Sequence, residues 1–277
     1  MIIKKRLRRT LLYLVAFITC IVVLYPAFVM VTTSLKSTAE MYSSNMTILP
    51  QEWQWSNLWE VWSVAPLFTY FRNSVIVALG ATLLSLICGI PAAYALVRMN
   101  FKFKSVYFAA IIISQMFTPV VLLVGIYRTM VDMNLTNNLF GLILVNAAFN
   151  QAFTVWLLRG TFQTIPYAME EAAHVDGCTR FQALYRVLLP QAAPGIVTVL
   201  IYVFIEVWNE YSIALTLMTT DALKPISVGI SAFSSYTTIE WQYLFAASLY
   251  ATIPVVILFI LVEKHLVAGL TVGGVKE

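Results

Sequence analysis

The sequence predicts an all-α integral membrane protein with six transmembrane helices. Three observations carry that prediction: a shortage of charge, its clustering, and the length of the stretches in between. Of 277 residues, 13 are acidic and 17 basic, 60% are apolar, and the mean hydropathy is +0.83. A soluble domain carries about 25% charged residues, against 11% here. Too few polar side chains exist to cover a water-facing surface, which excludes a soluble enzyme. The same composition excludes intrinsic disorder, which is polar and poor in aromatics. Six stretches hold no charge at all: 10–35, 73–97, 105–127, 133–158, 187–205 and 241–262. The shortest has 19 residues and the longest 26, and crossing the hydrocarbon core takes roughly 20. Apolar residues run continuously instead of alternating, so these are helices and not barrel strands.

The first span, about 11–34, follows Lys4, Lys5, Arg6, Arg8 and Arg9. Its apolar run is too long for a signal-peptide core and no small-x-small cleavage site follows, so it reads as an uncleaved span with a cytoplasmic N-terminus. The loop 37–71 then lies outside. Its Trp53, Trp55, Trp59 and Trp62 fit an interfacial segment at the headgroups, with a sugar-stacking platform as the alternative. The remaining spans fall at about 73–97, 105–127, 139–158, 192–218 and 243–262, with a cytoplasmic loop at 159–190 and a cytoplasmic tail at 263–277. This alternation puts 13 Lys and Arg on the cytoplasmic side and four outside, the asymmetry that orients membrane proteins. No linker or internal repeat divides the chain, so residues 1–277 read as one integral membrane domain. Cys20 and Cys88 fall in spans and Cys178 in a polar loop, which suits free thiols.

The spans lack the groups most chemistry needs. No G-x-x-x-x-G-K-[ST] sequence is present to cradle nucleotide phosphates. His174 and His265 have no second metal ligand at helical spacing, and no Ser-His-Asp set is apparent. The expectation is no catalytic residue, no metal and, since the positive charges serve orientation, no nucleic acid partner. Uphill movement of a solute would then draw on an ion gradient or on another subunit. Two acids do lie deep, Glu206 and Glu210, four apart on one helix face. A carboxylate at a helix centre costs about 2.5–3.5 kcal/mol on insertion scales, so it should face a cavity or a partner helix. With Asn209 and Asn150 they are candidates for a polar pathway, or they are structural. Asn146 and Asn150 share a face in the same way, and asparagine is also common as inter-helical glue.

The most informative stretch joins spans four and five. Pro166 fits a first helical turn with Thr164 as its cap, and Gly177 fits a turn that needs positive φ. A second amphipathic segment at about 179–187 follows, stopped by Pro190 and Pro194. Ala172, Ala173 and Val175 beside Glu171 and Asp176 make a small protruding knob, better suited to docking in a cleft of another protein than to catalysis.

Glu171-Ala172-Ala173, three residues, Gly177, nine residues, then Val187-x-Leu189-Pro190 resembles the EAA loop of permease subunits from binding-protein-dependent ABC importers. Val187 stands where isoleucine is usual and Cys178 where alanine is. Ser34-Leu35-Lys36, Asn73-Ser74, Pro91 to Ala95 and Trp208-Asn209-Glu210 look like the carbohydrate-uptake branch, while Glu206 departs from that pattern. The end, Gly269 to Lys276, is similar to the maltose-type second permease subunit. The resemblance implies an ABC type I importer permease fold in a bacterial cytoplasmic membrane, with both termini inside. It implies a heterodimer with a second permease, two cytoplasmic ATPase subunits, an extracellular solute-binding protein, and a sugar cargo, an oligosaccharide by preference. ATP and Mg would sit on the ATPase subunits and no cofactor on this chain. Glu170, Glu171, Ala172, Ala173, Asp176 and Gly177 would couple to the ATPase, and Gly273, Gly274, Val275 and Lys276 would reach between its subunits. The rival reading is a proton-coupled secondary transporter with Glu206 and Glu210 as relay. It leaves the loop and the tail unexplained.

Overall fold

A computed structural model describes residues 2–43, 47–234 and 239–272. The described residues are helical apart from turns and one isolated bridge between Ser234 and Ile239. By their contacts they form two compact units, Met1–Leu67 with Ile230–Ile253, and Phe68–Gly229 with Pro254–Glu277.

The first unit is built on α1 (Ile2–Ser34), with α2 (Thr38–Met41), α3 (Asn57–Val64) and the opening turns of a long final helix. The spanning part of α1, Arg9–Ser34, has an 18-residue apolar window with no residue buried by its own chain. It is held at its C-terminal end instead. Asn57 donates from Nδ2 to the carbonyls of Ser34 and Lys36 at 3.0 and 2.9 Å, satisfying carbonyls that a helix end leaves without partners. Tyr250 donates to Leu58 O at 2.8 Å, and Tyr243 to Glu60 at 2.9 Å. Trp53 and Trp55 stack on each other, and both remain exposed.

The second unit contains α4 (Leu67–Arg98), α5 (Lys104–Ser114), α6 (Pro119–Asp132), α7 (Leu139–Thr164), α8 (Tyr167–Val175), α9 (Arg180–Ala183), α10 (Leu189–Asn209), α11 (Ser212–Leu217) and α12 (Ile226–Gly229). The final helix, α13 (Trp241–Val272), runs on into it. At its centre is α7, which packs against α10 so closely that a Cβ at Gly195 would stand 2.2 Å from Thr161 Oγ1. Leu158, Phe162, Leu188 and Val199 are fully buried there.

Among the described residues five helices are long and apolar enough to cross a membrane, and a bent pair, if it is one span, brings the number to six. That pair corrects the straight third span of 105–127. Its helices α5 and α6 meet at 100°, because Pro119 opens α6 and holds Thr118 extended at φ −70°, ψ 143°. Gln115 closes the gap by donating to Phe149 O at 2.9 Å. The fifth span differs too. Instead of one helix over 192–218, α10 stops at Asn209 and α11 restarts at Ser212. At its other end the helix is not stopped by Pro190. A π-helical turn, Leu184–Leu188, leads directly from α9 into α10, and its wider bonding accommodates a residue with no N–H to give. Pro194 lies inside α10.

Candidate functional site

The connection between α7 and α10 carries the residues of the EAA pattern. Here α7 ends at Thr164, whose hydroxyl donates back to Thr161 O at 2.8 Å. Thr164 therefore does not cap the next helix, as its spacing suggested. Ile165 and Pro166 are extended, at ψ 121° and 136°, and α8 begins with Pro166 in the cap position. It ends in the expected turn, with Gly177 at φ +83°. A Cβ there would meet nothing within 4 Å, so the glycine answers a backbone requirement and not a crowding one. Thr179 then opens α9 with a reciprocal capping box to Gln182.

Of the six residues assigned to this knob, four face outward. Glu171, Ala172, Asp176 and Gly177 are exposed, as is Val175 at 88%. Ala173 is buried and seats the helix. Glu170 is the exception among the charged residues. Its side chain is 4% exposed and turns inward to the last turns of α4. Tyr94 donates its hydroxyl proton to Glu170 Oε1 at 2.5 Å, and Arg98 Nε lies 3.0 Å from Oε2. Arg98 also donates from Nη2 to Ile165 O at 2.8 Å, and its guanidinium lies 5.4 Å from the Tyr167 ring centre. Glu171 and its outward neighbours therefore form the exposed face of α8, and Glu170 lies behind that face, buried against α4. A cavity of about 370 Å³ opens beside it, lined by Tyr94, Arg98, Glu170, His174 and Arg180 among others. His174 Nδ1 bonds with Cys178 O at 2.9 Å, and Nε2 lies 3.8 Å from Glu170.

Arg98 and Tyr94 were missed as site residues. Arg98 read only as an orienting charge. Its position in the last turn of an apolar helix was the available signal, because a cation so near hydrocarbon needs a partner.

The pathway candidates separate along α10. Glu206 and Asn209 are exposed on the chain's own surface. Glu210 is half-buried and accepts the backbone N–H groups of Ile213 and Ala214 at 2.7 and 2.9 Å, capping α11, while its own carbonyl accepts from Ser227 at 2.7 Å. Glu210 is thus part of the fold at the break. Asn150 donates to Asn146 O, and Asn146 to Leu142 O, so both amides bond back along their own helix. One turn beyond Asn150, Phe153 stacks on Tyr202 with ring centres 3.7 Å apart. Tyr202 lies one turn before Glu206, so aromatic rings and polar groups occupy neighbouring faces of α7 and α10. Gly273, Gly274, Val275 and Lys276 lie outside the described residues. Among the described residues no group of three or more His, Cys, Asp or Glu could hold a metal ion, and Cys20, Cys88 and Cys178 are free.

Residues 85–272 match the family described as binding-protein-dependent transport system inner membrane component. The chain is 33% identical over 275 residues to the inner membrane ABC transporter permease protein YcjP of Escherichia coli K12, covering 99% of this chain and 98% of that one. It is 34% identical over 268 residues to the sulfoquinovosyl glycerol transport system permease protein SmoH of Agrobacterium fabrum, covering 97% and 94%. Its fold matches a chain of a bacterial ABC transporter involved in the import of the acidic polysaccharide alginate. The TM-score is 0.82 at 24% identity, over 94% of this chain and 97% of that one.

Proposed function

We infer the function from one premise: the chain belongs to the family of binding-protein-dependent transport system inner membrane components. It is a multi-pass membrane permease subunit, and it does its work in an assembly. We assign it to the uptake of a sugar, a glycoside or short oligosaccharide, handed over by an extracellular solute-binding protein. A relative named for sulfoquinovosyl glycerol transport supports that cargo class. So does the aromatic and polar strip of Phe153, Tyr202, Glu206 and Asn209, since rings stack on pyranose faces and polar groups take their hydroxyls.

The observation that carries the coupling role is the knob α8. It presents Glu171, Ala172, Val175 and Asp176 outward while Glu170 and Ala173 hold it from behind. Small side chains let a helix sit deep in a groove, and the acids give that groove a charge to recognise. In this reading the groove belongs to an ATPase subunit on the cytoplasmic side, which puts both termini in the cytoplasm of a bacterial cell. Two such ATPase subunits bind ATP and Mg, a second permease completes the pathway, and Gly273 to Lys276 reach the ATPase pair. This chain performs no hydrolysis. ATP closes the ATPase dimer, the groove displaces α8, and the helices rock until the cavity opens outward to receive sugar. Hydrolysis restores the inward-facing state.

Gentle purification of the tagged chain from its native membrane tests the reading. A second multi-span subunit and an ATPase should come with it, in a complex whose hydrolysis a loaded binding protein stimulates. A chain that emerges alone, and remains active alone, would overturn it.

A further inference from the structure

The knob has a mechanical difficulty that its sequence does not reveal. It is bounded on both sides by non-helical joints, extended Ile165–Pro166 before it and the Gly177 turn after it. A displacement of α8 has no continuous helix by which to pass into α7, and it reaches α9 only through the bonded turn from Ala173 to Cys178. Yet the middle of α8 is fixed to another element altogether. Both oxygens of Glu170 face α4, one taking the Tyr94 hydroxyl and the other facing the Arg98 guanidinium. The same guanidinium holds Ile165 O and lies over Tyr167, so one side chain grips the joint before α8, its first residue and its buried acid. The side chains of Arg98 and Glu170 are 9% and 4% exposed. The pair is largely shielded from solvent, so its charges attract more strongly than they would in water.

We propose that Tyr94, Arg98 and Glu170 form the joint through which movement of α8 enters the membrane, with the end of α4 as the lever. Tyr94 and Arg98 lie one turn apart, on the stretch of α4 beyond Pro91, the proline inside that helix. A proline removes one hydrogen bond from the ladder and weakens the helix at that point. The tip that carries Tyr94 and Arg98 can therefore bend with α8 at Pro91, its buried Ala93 and Leu96 reseating as it moves, while the earlier turns of α4 stay packed on α7. These are positioning residues. None of them is assigned to the cargo or to ATP.

The proposal rests on the coupling role given to α8, and the test separates the two. The assembled transporter is reconstituted in vesicles, and sugar carried per ATP hydrolysed is measured for the parent, Arg98→Lys, Arg98→Met and Tyr94→Phe. If the parent itself does not link hydrolysis to uptake, the coupling role fails, and the joint with it. With a coupled parent, Arg98→Met should keep hydrolysing ATP while sugar per ATP falls about tenfold, the scale of couplings carried by such networks. Arg98→Lys, which keeps the charge, should recover most of the ratio. Tyr94→Phe removes one hydroxyl, leaves the ion pair, and should give an intermediate loss. An unchanged ratio in Arg98→Met would overturn the joint and leave the permease reading standing. So would a proportional fall of hydrolysis and uptake, the mark of a folding or assembly defect. Should Arg98→Met not assemble, Tyr94→Phe decides alone, and an unaltered ratio there would likewise overturn the joint.

Discussion

Two pairs of glutamates, at opposite ends of the stretch from α8 to α11, look alike in the sequence and differ in use. In each pair one carboxylate is absorbed by the fold and the other is left exposed. Glu170 takes the Tyr94 hydroxyl and faces Arg98, while Glu171 next to it points away from the protein. Glu210 caps α11 through two backbone N–H groups, while Glu206 one turn earlier is exposed. The donors that meet the two absorbed carboxylates differ in kind. Glu170 is met by a cation and a phenol from another helix, Glu210 by backbone just ahead in the chain. Removing Glu170 strands a buried cation, whereas removing Glu210 leaves two uncharged backbone N–H groups without their side-chain acceptor.

That difference sets the order of effects expected on substitution. Glu170→Ala leaves Arg98 buried without its counterion and should cost about 3–5 kcal/mol, the range for breaking a buried pair from one side. Thermal unfolding of the purified complex reads it directly. Gly177→Val forces a β-branched residue to φ +83°, at a cost of about 1–3 kcal/mol from backbone strain alone. A Cβ there has open space, so the chain should still insert while ATP-coupled uptake collapses. Uptake at the parent rate would break the link drawn between the turn and coupling. Glu210→Ala removes a helix cap and should lower stability by about 1 kcal/mol. Glu210→Gln keeps an acceptor and should restore most of it, whereas a proton relay would lose function in both. Smallest in stability, within about 0.5 kcal/mol, are Glu171→Ala and Glu206→Gln. The first should weaken retention of the ATPase during purification. The second should alter sugar uptake with hydrolysis intact.

How much of this was legible in the sequence follows from the range of each interaction. The spans were, because hydrocarbon imposes a length and forbids charge, and both are local properties of the chain. The turn at Gly177 was, because only one residue type takes that backbone cheaply. The break in the third span was less so. Pro119 was in plain view, but an apolar run of 23 residues looked continuous until Gln115 was seen bonding to α7. The same holds for Glu210, which looked like a buried acid on a continuous helix and proved to be the cap of the next one. Among the knob residues, the pattern identified the segment but not which face was which. Nothing in Glu170-Glu171 marks the first as anchor and the second as surface. Arg98 and Tyr94 decide it, and they are brought to Glu170 only by the packing of α4 beside α8.

The central claim is that this chain passes the energy of ATP, received at α8, into movement of a sugar across the membrane. It is tested most directly in sealed vesicles holding the whole assembly, with binding protein and labelled sugar on one side and ATP on the other. Uptake that requires ATP, persists when the proton gradient is collapsed, and is lost in Gly177→Val is the result expected. Uptake by the chain alone, driven by a proton gradient and abolished by Glu206→Gln, would contradict it.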